Sequence, residues 1–264
     1  MHRASERGAL LVLALSAGAA LAAPGCDKPV YLTFDTGHMG VAPLVADVLQ
    51  RHQIQATFFL ANERSLDGGS SLDDRWAPWW KARVADGHAF GSHTFDHVVW
   101  QGDRPGGRLA VKPGFGPQAG RLLDWSAADY CAELQRSAAR FTAMTGAPMA
   151  PLFRAPGGKT SPNLLAAARS CGYAHVGWAP AGFLGDELPS DRYPNARLLD
   201  QALKNVKAGD ILLAHLGIWS RQDAWAPAVL EPLVAGLKSR GLCFATLREH
   251  PDYRSASATA PLAH

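Results

Sequence analysis

The apolar positions of the chain alternate between two periods. "VYLTF", Val30 to Phe34, is a nearly unbroken apolar run, and Val41–His52 follows with Val41, Leu44, Val45, Val48 and Leu49 at helical spacing on one face. The alternation then repeats. "ATFFL" (Ala56–Leu60) reads as a second strand, the Trp-rich stretch Asp73–Ala85 as a helix, and "HAFGSHT" as a third strand. Ser126 opens a helix that turns Tyr130, Leu134, Ala138 and Phe141 inward and ends at Gly146. "LFRAP" is strand four, Ser161-Pro162 starts a helix that Gly172 stops, and "YAHVGW" is strand five. Leu198–Val206 is helical and "DILLAH" is strand six. A helix over Ala226–Arg240, interrupted by Pro232, leads to a last strand at Leu242–Leu247. Only the Gly/Pro-rich stretch Val98–Asp124 lacks a period, and it reads as a long functional or mobile loop.

About seven strands alternating with helices predict a parallel sheet covered by helices. A barrel and an open doubly wound sheet both fit, and either puts ligands at the carboxyl ends of the strands. No repeat and no second domain is visible, so 24–254 reads as one domain and 255–264 as a loose tail. With 47% hydrophobic and 19% charged residues the chain can bury a sizeable core. A net charge of +3 without a basic block gives no reason to expect nucleic acid.

The start of the chain reads as processing rather than fold. Arg3 and Arg7 precede the small, apolar stretch Ala9–Ala23, which ends in "ALAAP". That is a secretory signal peptide over 1–23, too short for the roughly 20 apolar residues of a membrane span. The expected location is secreted or periplasmic, with no stable membrane anchor. Four cysteines then meet an oxidising compartment. Cys26 precedes the first strand and Cys243 opens the last, while Cys131 and Cys171 sit on two helices that flank one strand. Among the three possible pairings these placements favour Cys26–Cys243 and Cys131–Cys171. No cysteine spacing resembles a zinc site.

Polar residues collect at the predicted carboxyl ends: Asp35 after strand one, His93 in "HTFDH", Arg154 in "RAPGGK" and His215 in "LAH". His93 and His97 are four apart, so one helical turn would put both imidazoles on one side of a metal. Asp96 between them reads as an outer or surface residue. His215 titrates near neutrality and suits a general acid. Arg154 suits a guanidinium that orients Asp35 and lowers its pKa. The glycines from Gly157, after Pro156, let backbone approach a ligand closely. Trp76, Trp79, Trp80 and Trp100 fall near the expected groove rim, where they either face sugar rings or pack the helices. Arg104, Arg108, Lys112 and Arg121 either meet an acidic glycan or are simply solvated.

In their order, "TFDTG", "HTFDH", "RAPGGK" and "LLAH" resemble the polysaccharide deacetylases, the NodB-like group of carbohydrate esterase family 4, over roughly Asp27 to His250. The resemblance implies a distorted (β/α) barrel with about seven parallel strands. It implies removal of N-acetyl, or sometimes O-acetyl, groups from a glycan such as peptidoglycan, an exopolysaccharide or a chitooligosaccharide. A divalent metal, zinc or else cobalt or nickel, is the implied cofactor. Asp35 matches the family's base, His215 its acid, Arg154 the arginine that tunes the base, and His93 and His97 its metal-binding histidines. By the resemblance Leu213 would help line the acetyl pocket, and Trp178 is a further substrate-binding candidate. Two departures stand out. Thr36 replaces a ligating aspartate, which leaves the third ligand to His38, Asp96 or water. It also opens the reading of a metal-free glycan-binding protein. After Trp178 the family's aspartate, paired with Arg154, is displaced, and Asp186 is the candidate ahead of Glu187 and Asp191.

Overall fold

The computed structural model describes residues 26–258, so the expected signal peptide and the last residues of the tail lie outside the described part. β1 (Pro29–Asp35) is the axis of the architecture. It pairs in parallel with β2 (Thr57–Leu60) on one side, with β9 (Ile211–His215) on the other, and at its start with β10 (Cys243–Phe244). β2 continues through β3 (Ala89–Ser92) and β7 (Leu152–Phe153) to β8 (Ala174–His175), giving a seven-stranded sheet. The backbone after β8 curls back to β9: Ala179 N–H donates to the Ile211 carbonyl and Leu184 N–H to that of Leu213. These bonds bring the two ends of the sheet together as a distorted barrel.

β1 shows why the sheet is two-sided. Val30, Leu32 and Phe34 point outward into a core shared with the helices, and Tyr31 points inward to Phe59, Leu152, Val176 and Ile211. The strand is apolar throughout because both faces are covered. Outside it pack α1 (Ala42–Arg51), α2 (Ala77–Ala85), α5 (Asn195–Asn205) and α6 (Leu230–Ser239). α1 buries Val45, Val48 and Leu49 as its spacing predicts, but Leu44 is exposed, one position off the stripe. α6 starts at Leu230, so Pro232 sits in the first turn, where no N–H is required. α3 (Ala127–Thr145) has the expected Ser126 cap, completed as a capping box by Asp129, and stops at Gly146 in the left-handed region. α4 (Pro162–Ser170) is capped by Ser161.

The stretch read as a loop is a second sheet. β4 (Val98–Arg104), β5 (Arg108–Pro113) and β6 (Leu123–Trp125) form a three-stranded antiparallel sheet. Val98, Leu109 and Val111 pack on Tyr130 and Leu134 of α3 and Leu164 of α4. The turn at Pro105–Gly107, with Gly106 and Gly107 at positive φ, closes the hairpin that the Gly/Pro content concealed. At the other end of the chain a short helix, α7 (Arg254–Ala258), begins where a loose tail was expected.

Both expected disulfides form, Cys26–Cys243 across the start of the sheet and Cys131–Cys171 between α3 and α4. The second spans 40 residues, so removing it frees loop entropy worth roughly 4 kcal/mol in the chain-entropy picture. The variant Cys131→Ser/Cys171→Ser should therefore melt about 10 °C lower. An unchanged Tm in oxidised protein would mean that this bridge carries no stability.

Candidate active site

Strand register builds the site. Asp35 on β1 stands directly opposite His215 on β9, and Thr33 stands opposite Leu213 one pair below. Side chains two apart share a face, so acid, base and the residues beneath them form two layers of one surface. Leu213 is buried under His215. Beyond β1, Gly37 has φ +79°, and a Cβ there would meet the Gly217 carbonyl oxygen at 2.1 Å. Only glycine lets the loop after β1 press this closely on the loop after β9.

Arg154 lies fully buried beneath Asp35. Its Nη1 donates to Asp35 Oδ1 and to Thr33 Oγ1, each at 2.8 Å, and its other nitrogens reach the Val176 and Gly177 carbonyls. The guanidinium also lies 4.4 Å from the Phe59 ring centroid and 5.7 Å from that of Trp178. Burial alone would raise the Asp35 carboxyl. Arg154 first, then His93 and His215, outweigh it and hold Asp35 below the usual carboxylate range. The sequence-based pairing of Asp186 with Arg154 is corrected here. Asp186 is buried against His215, accepting from its ring Nδ1 at 3.0 Å and from its backbone N–H at 2.6 Å. Arg154 is already occupied by Asp35 and backbone carbonyls, so the displaced aspartate serves the histidine instead.

His215 has the opposite electrostatics to a lone buried histidine. Burial pushes it down, but the Asp186 carboxylate, helped by Asp35 and Glu187, lifts it to about 9. Its Nε2 is left toward Glu187 Oε2, 3.9 Å away. The pair across β1 and β9 is therefore a carboxylate ready to accept a proton and an imidazolium ready to give one.

"HTFDH" does not form a helical turn. It is an irregular turn with Thr94 and His97 at positive φ, held by Val98 N–H donating to Thr94 Oγ1 at 2.7 Å. The turn still brings the His93 and His97 rings together, with centroids 4.9 Å apart. His93 Nδ1 donates to the Arg154 carbonyl at 2.9 Å, which leaves Nε2 as a lone pair 3.5 Å from Asp35 Oδ2. Burial foremost keeps His93 neutral, with its pKa near 4. A neutral imidazole whose other nitrogen is fixed on a carbonyl is the form that binds a zinc-type ion, and the donor set of this corner fits such a group. Among the described residues no three His, Cys, Asp or Glu side chains already stand as a complete ligand set.

The other candidates are distributed unevenly. Thr36 is buried, donating to Glu63 Oε1 at 2.6 Å and accepting from Ala61 N–H at 3.1 Å. His38 faces away from that corner: Nδ1 accepts from Gly40 N–H, and the ring packs edge-on to Trp219. Asp96 pairs with Arg136. Pro156 is buried and Gly157 turns at φ +67°, beside Val99 of β4. Trp178 covers Gly158, where a Cβ would clash with its ring. Trp80 is wholly inside the helical core, with Trp76 and Trp79 packed against it, and Trp100 hydrogen-bonds Asp103 on the antiparallel sheet. Of the two readings, Trp76, Trp79 and Trp80 thus follow the one in which they pack the helices. Arg108 pairs with Asp124, and Arg121 with Gln118.

Trp219 and Glu63 escaped sequence reasoning, and Glu187 was named only as an alternative to Asp186. Trp219, 56% exposed, stands beside a cavity of about 220 Å³ lined by His38, Leu66, Asp186, His215, Gly217 and Trp225. Glu187 meets the free nitrogen of His215. Glu63, three residues past β2, is a nearly buried acid beside Thr36. Its signal was the one that found Asp35: a carboxylate just beyond the carboxyl end of a buried strand.

The comparisons agree with this geometry. The family profile described as polysaccharide deacetylase matches residues 22–176. The chain is 28% identical to a chitooligosaccharide deacetylase of Azorhizobium caulinodans, over 84% of this chain and 93% of that protein. It is 25% identical to a peptidoglycan-N-acetylglucosamine deacetylase of Bacillus cereus, over 88% and 92% respectively. Its fold is similar to that of a family 4 acetyl xylan esterase from Clostridium thermocellum in complex with a cobalt ion, with a TM-score of 0.64, 23% identity and coverage of 86% and 92%.

Proposed function

Because the chain belongs to the polysaccharide deacetylase family, we propose that it is an exported, metal-dependent hydrolase that removes N-acetyl groups from an amino-sugar glycan. The observation that carries this reading is the register of β1 on β9, which sets a deprotonated Asp35 opposite a protonated His215. The names of the relatives support chitooligosaccharide or peptidoglycan as the substrate class. The apolar Ala9–Ala23 stretch and the two disulfides support export and one catalytic domain over 24–254.

His93 and His97 would hold the ion, together with an anionic oxygen. When bound, a divalent ion of the zinc type polarises the acetyl carbonyl and makes water a better nucleophile. Arg154 occupies Asp35 Oδ1, so Oδ2, on the His93 side, is the oxygen that takes the proton from the attacking water. The new C–O bond forms at the acetyl carbon. His215, fixed through Nδ1 by Asp186, gives the Nε2 proton to the sugar nitrogen as the C–N bond breaks. Acetate and a free amine leave. Trp219 and the adjoining cavity are placed to receive the sugar ring on the His215 side.

The test is acetate release from N-acetylated chitooligosaccharide, peptidoglycan fragments and acetylated xylan, before and after chelation and with zinc restored. Release from the amides, lost on chelation and regained with zinc, is the expected result. Release from the ester alone would make the protein an O-acetyl esterase. No release from any of them would favour a glycan-binding protein, the reading that Thr36 opened.

A further inference from the structure

A divalent ion beside His93 and His97 needs an anionic ligand, and residue 36 offers a neutral hydroxyl. A carboxylate stands one hydrogen bond further on. Glu63 is only 8% exposed, and its Oε1 accepts from Thr36 Oγ1 at 2.6 Å and from Gly37 N–H at 2.8 Å. Both donors belong to the loop that directly follows Asp35. The glutamate is fixed from its own backbone as well. Its N–H donates to Ser71 Oγ at 3.0 Å, and its carbonyl accepts from Ser71 N–H at 2.8 Å. Its second oxygen, Oε2, has no hydrogen-bond or ion-pair partner among the described residues, and no Lys or Arg neutralises the carboxylate. That leaves Oε2 as an unengaged carboxylate oxygen, a donor that zinc-type ions bind.

On the deacetylase reading above, we infer that Glu63 is the third protein ligand of the ion, supplying from the loop after β2 the carboxylate missing at position 36. The two positions exchange roles. An aspartate at 36 would face the Glu63 carboxylate at hydrogen-bond distance, and like charges there repel. Threonine removes the repulsion and uses its hydroxyl proton to hold Glu63 Oε1, which leaves Oε2 for the ion.

The experiment measures binding, not turnover. The mature protein is stripped with a chelator, and Zn²⁺ affinity and stoichiometry are read by calorimetry and mass spectrometry. The Co²⁺ form is read by its visible absorption. Glu63→Gln should lower Zn²⁺ affinity by roughly 100-fold or more and change the Co²⁺ spectrum, since a ligand is lost and not merely an outer partner worth about 10–100-fold. Thr36→Val should cost much less, because it loosens Glu63 but leaves the carboxylate. Thr36→Asp/Glu63→Gln should bind Zn²⁺ close to the wild-type level, and it keeps the question open to refutation if the single glutamine variant folds poorly. Wild-type Zn²⁺ affinity in Glu63→Gln, or a loss in Thr36→Val as large as that in Glu63→Gln, would overturn Glu63 as the ligand while leaving a metal-dependent enzyme standing. A wild-type protein that takes up neither ion would overturn both readings together.

Discussion

Replacing His215 by alanine is expected to cut kcat on an N-acetylated glycan by about 10²–10⁴-fold while the protein still folds, since that is the worth of one positioned acid. The fold should survive because Asp186 is not stranded. Its Oδ2 accepts from the backbone N–H of residue 215, a bond that alanine retains. The companion variant, Asp186→Asn, leaves the imidazole in place and changes only its charge state. In the wild type, His215 stays protonated up to about pH 9, so activity should fall as pH rises through that value. Without the Asp186 carboxylate the largest influence on His215 is burial, which favours the neutral ring. The basic limb of kcat/KM should then move to lower pH, and activity near neutrality should drop with it. A pH profile from about pH 6 to about pH 10 reads this directly. A basic limb that does not move in Asp186→Asn would remove His215 from the acid role, whatever the alanine variant does.

The residues that were legible in the sequence are those whose environment is set by local pattern. Asp35, His93, Arg154 and His215 each end a short apolar run, and a parallel sheet gathers strand ends on one side, so their meeting followed from topology alone. The Ser126 cap and the Gly146 stop were equally local. Residues whose partners depend on packing were not legible. Asp186 lies in a loop without period, and which cation it meets is decided by Arg154 being already saturated by Asp35, Thr33 and two carbonyls. The tryptophans of the Asp73–Ala85 stretch are as compatible with a groove as with a core, and burial under α3 decides for the core. Trp219 sits in "GIWSRQD", where nothing periodic marks an exposed ring as useful. The antiparallel sheet was hidden because β4 and β6 carry few buried residues and the strands are joined through Pro and Gly. Yet alternation at Leu109 and Val111 around the Pro105–Gly107 turn carried the hairpin signal. Thr36 shows the limit from the other direction. Its sequence neighbours suggest a lost charge, while its spatial neighbour Glu63 returns one.

Arg154→Met should be the most damaging substitution for the fold itself. It removes the guanidinium but leaves Asp35 in a site 3% exposed, and breaking a buried pair from one side costs about 3–5 kcal/mol. The pH dependence should also change sign. In the wild type the Asp35 carboxyl lies below its unfolded value, so its pairing adds stability above that unfolded value and loses it as pH falls through the folded one. Without Arg154, burial, the largest influence on Asp35, is opposed only by the histidines, and the carboxyl is expected to rise. Asp35 then destabilises the variant near neutrality, and acidification relieves that cost instead of creating one. Urea unfolding near pH 7 and near pH 5 measures the difference, with the variant's deficit smaller at the lower pH. Adding Asp35→Asn should recover part of the lost stability, because the uncompensated charge goes with it, though not the activity, because the base goes too. A deficit that is the same at both pH values, and that Asp35→Asn leaves untouched, would mean that Arg154 acts through its packing on Phe59 and its carbonyl bonds rather than through the charge of Asp35.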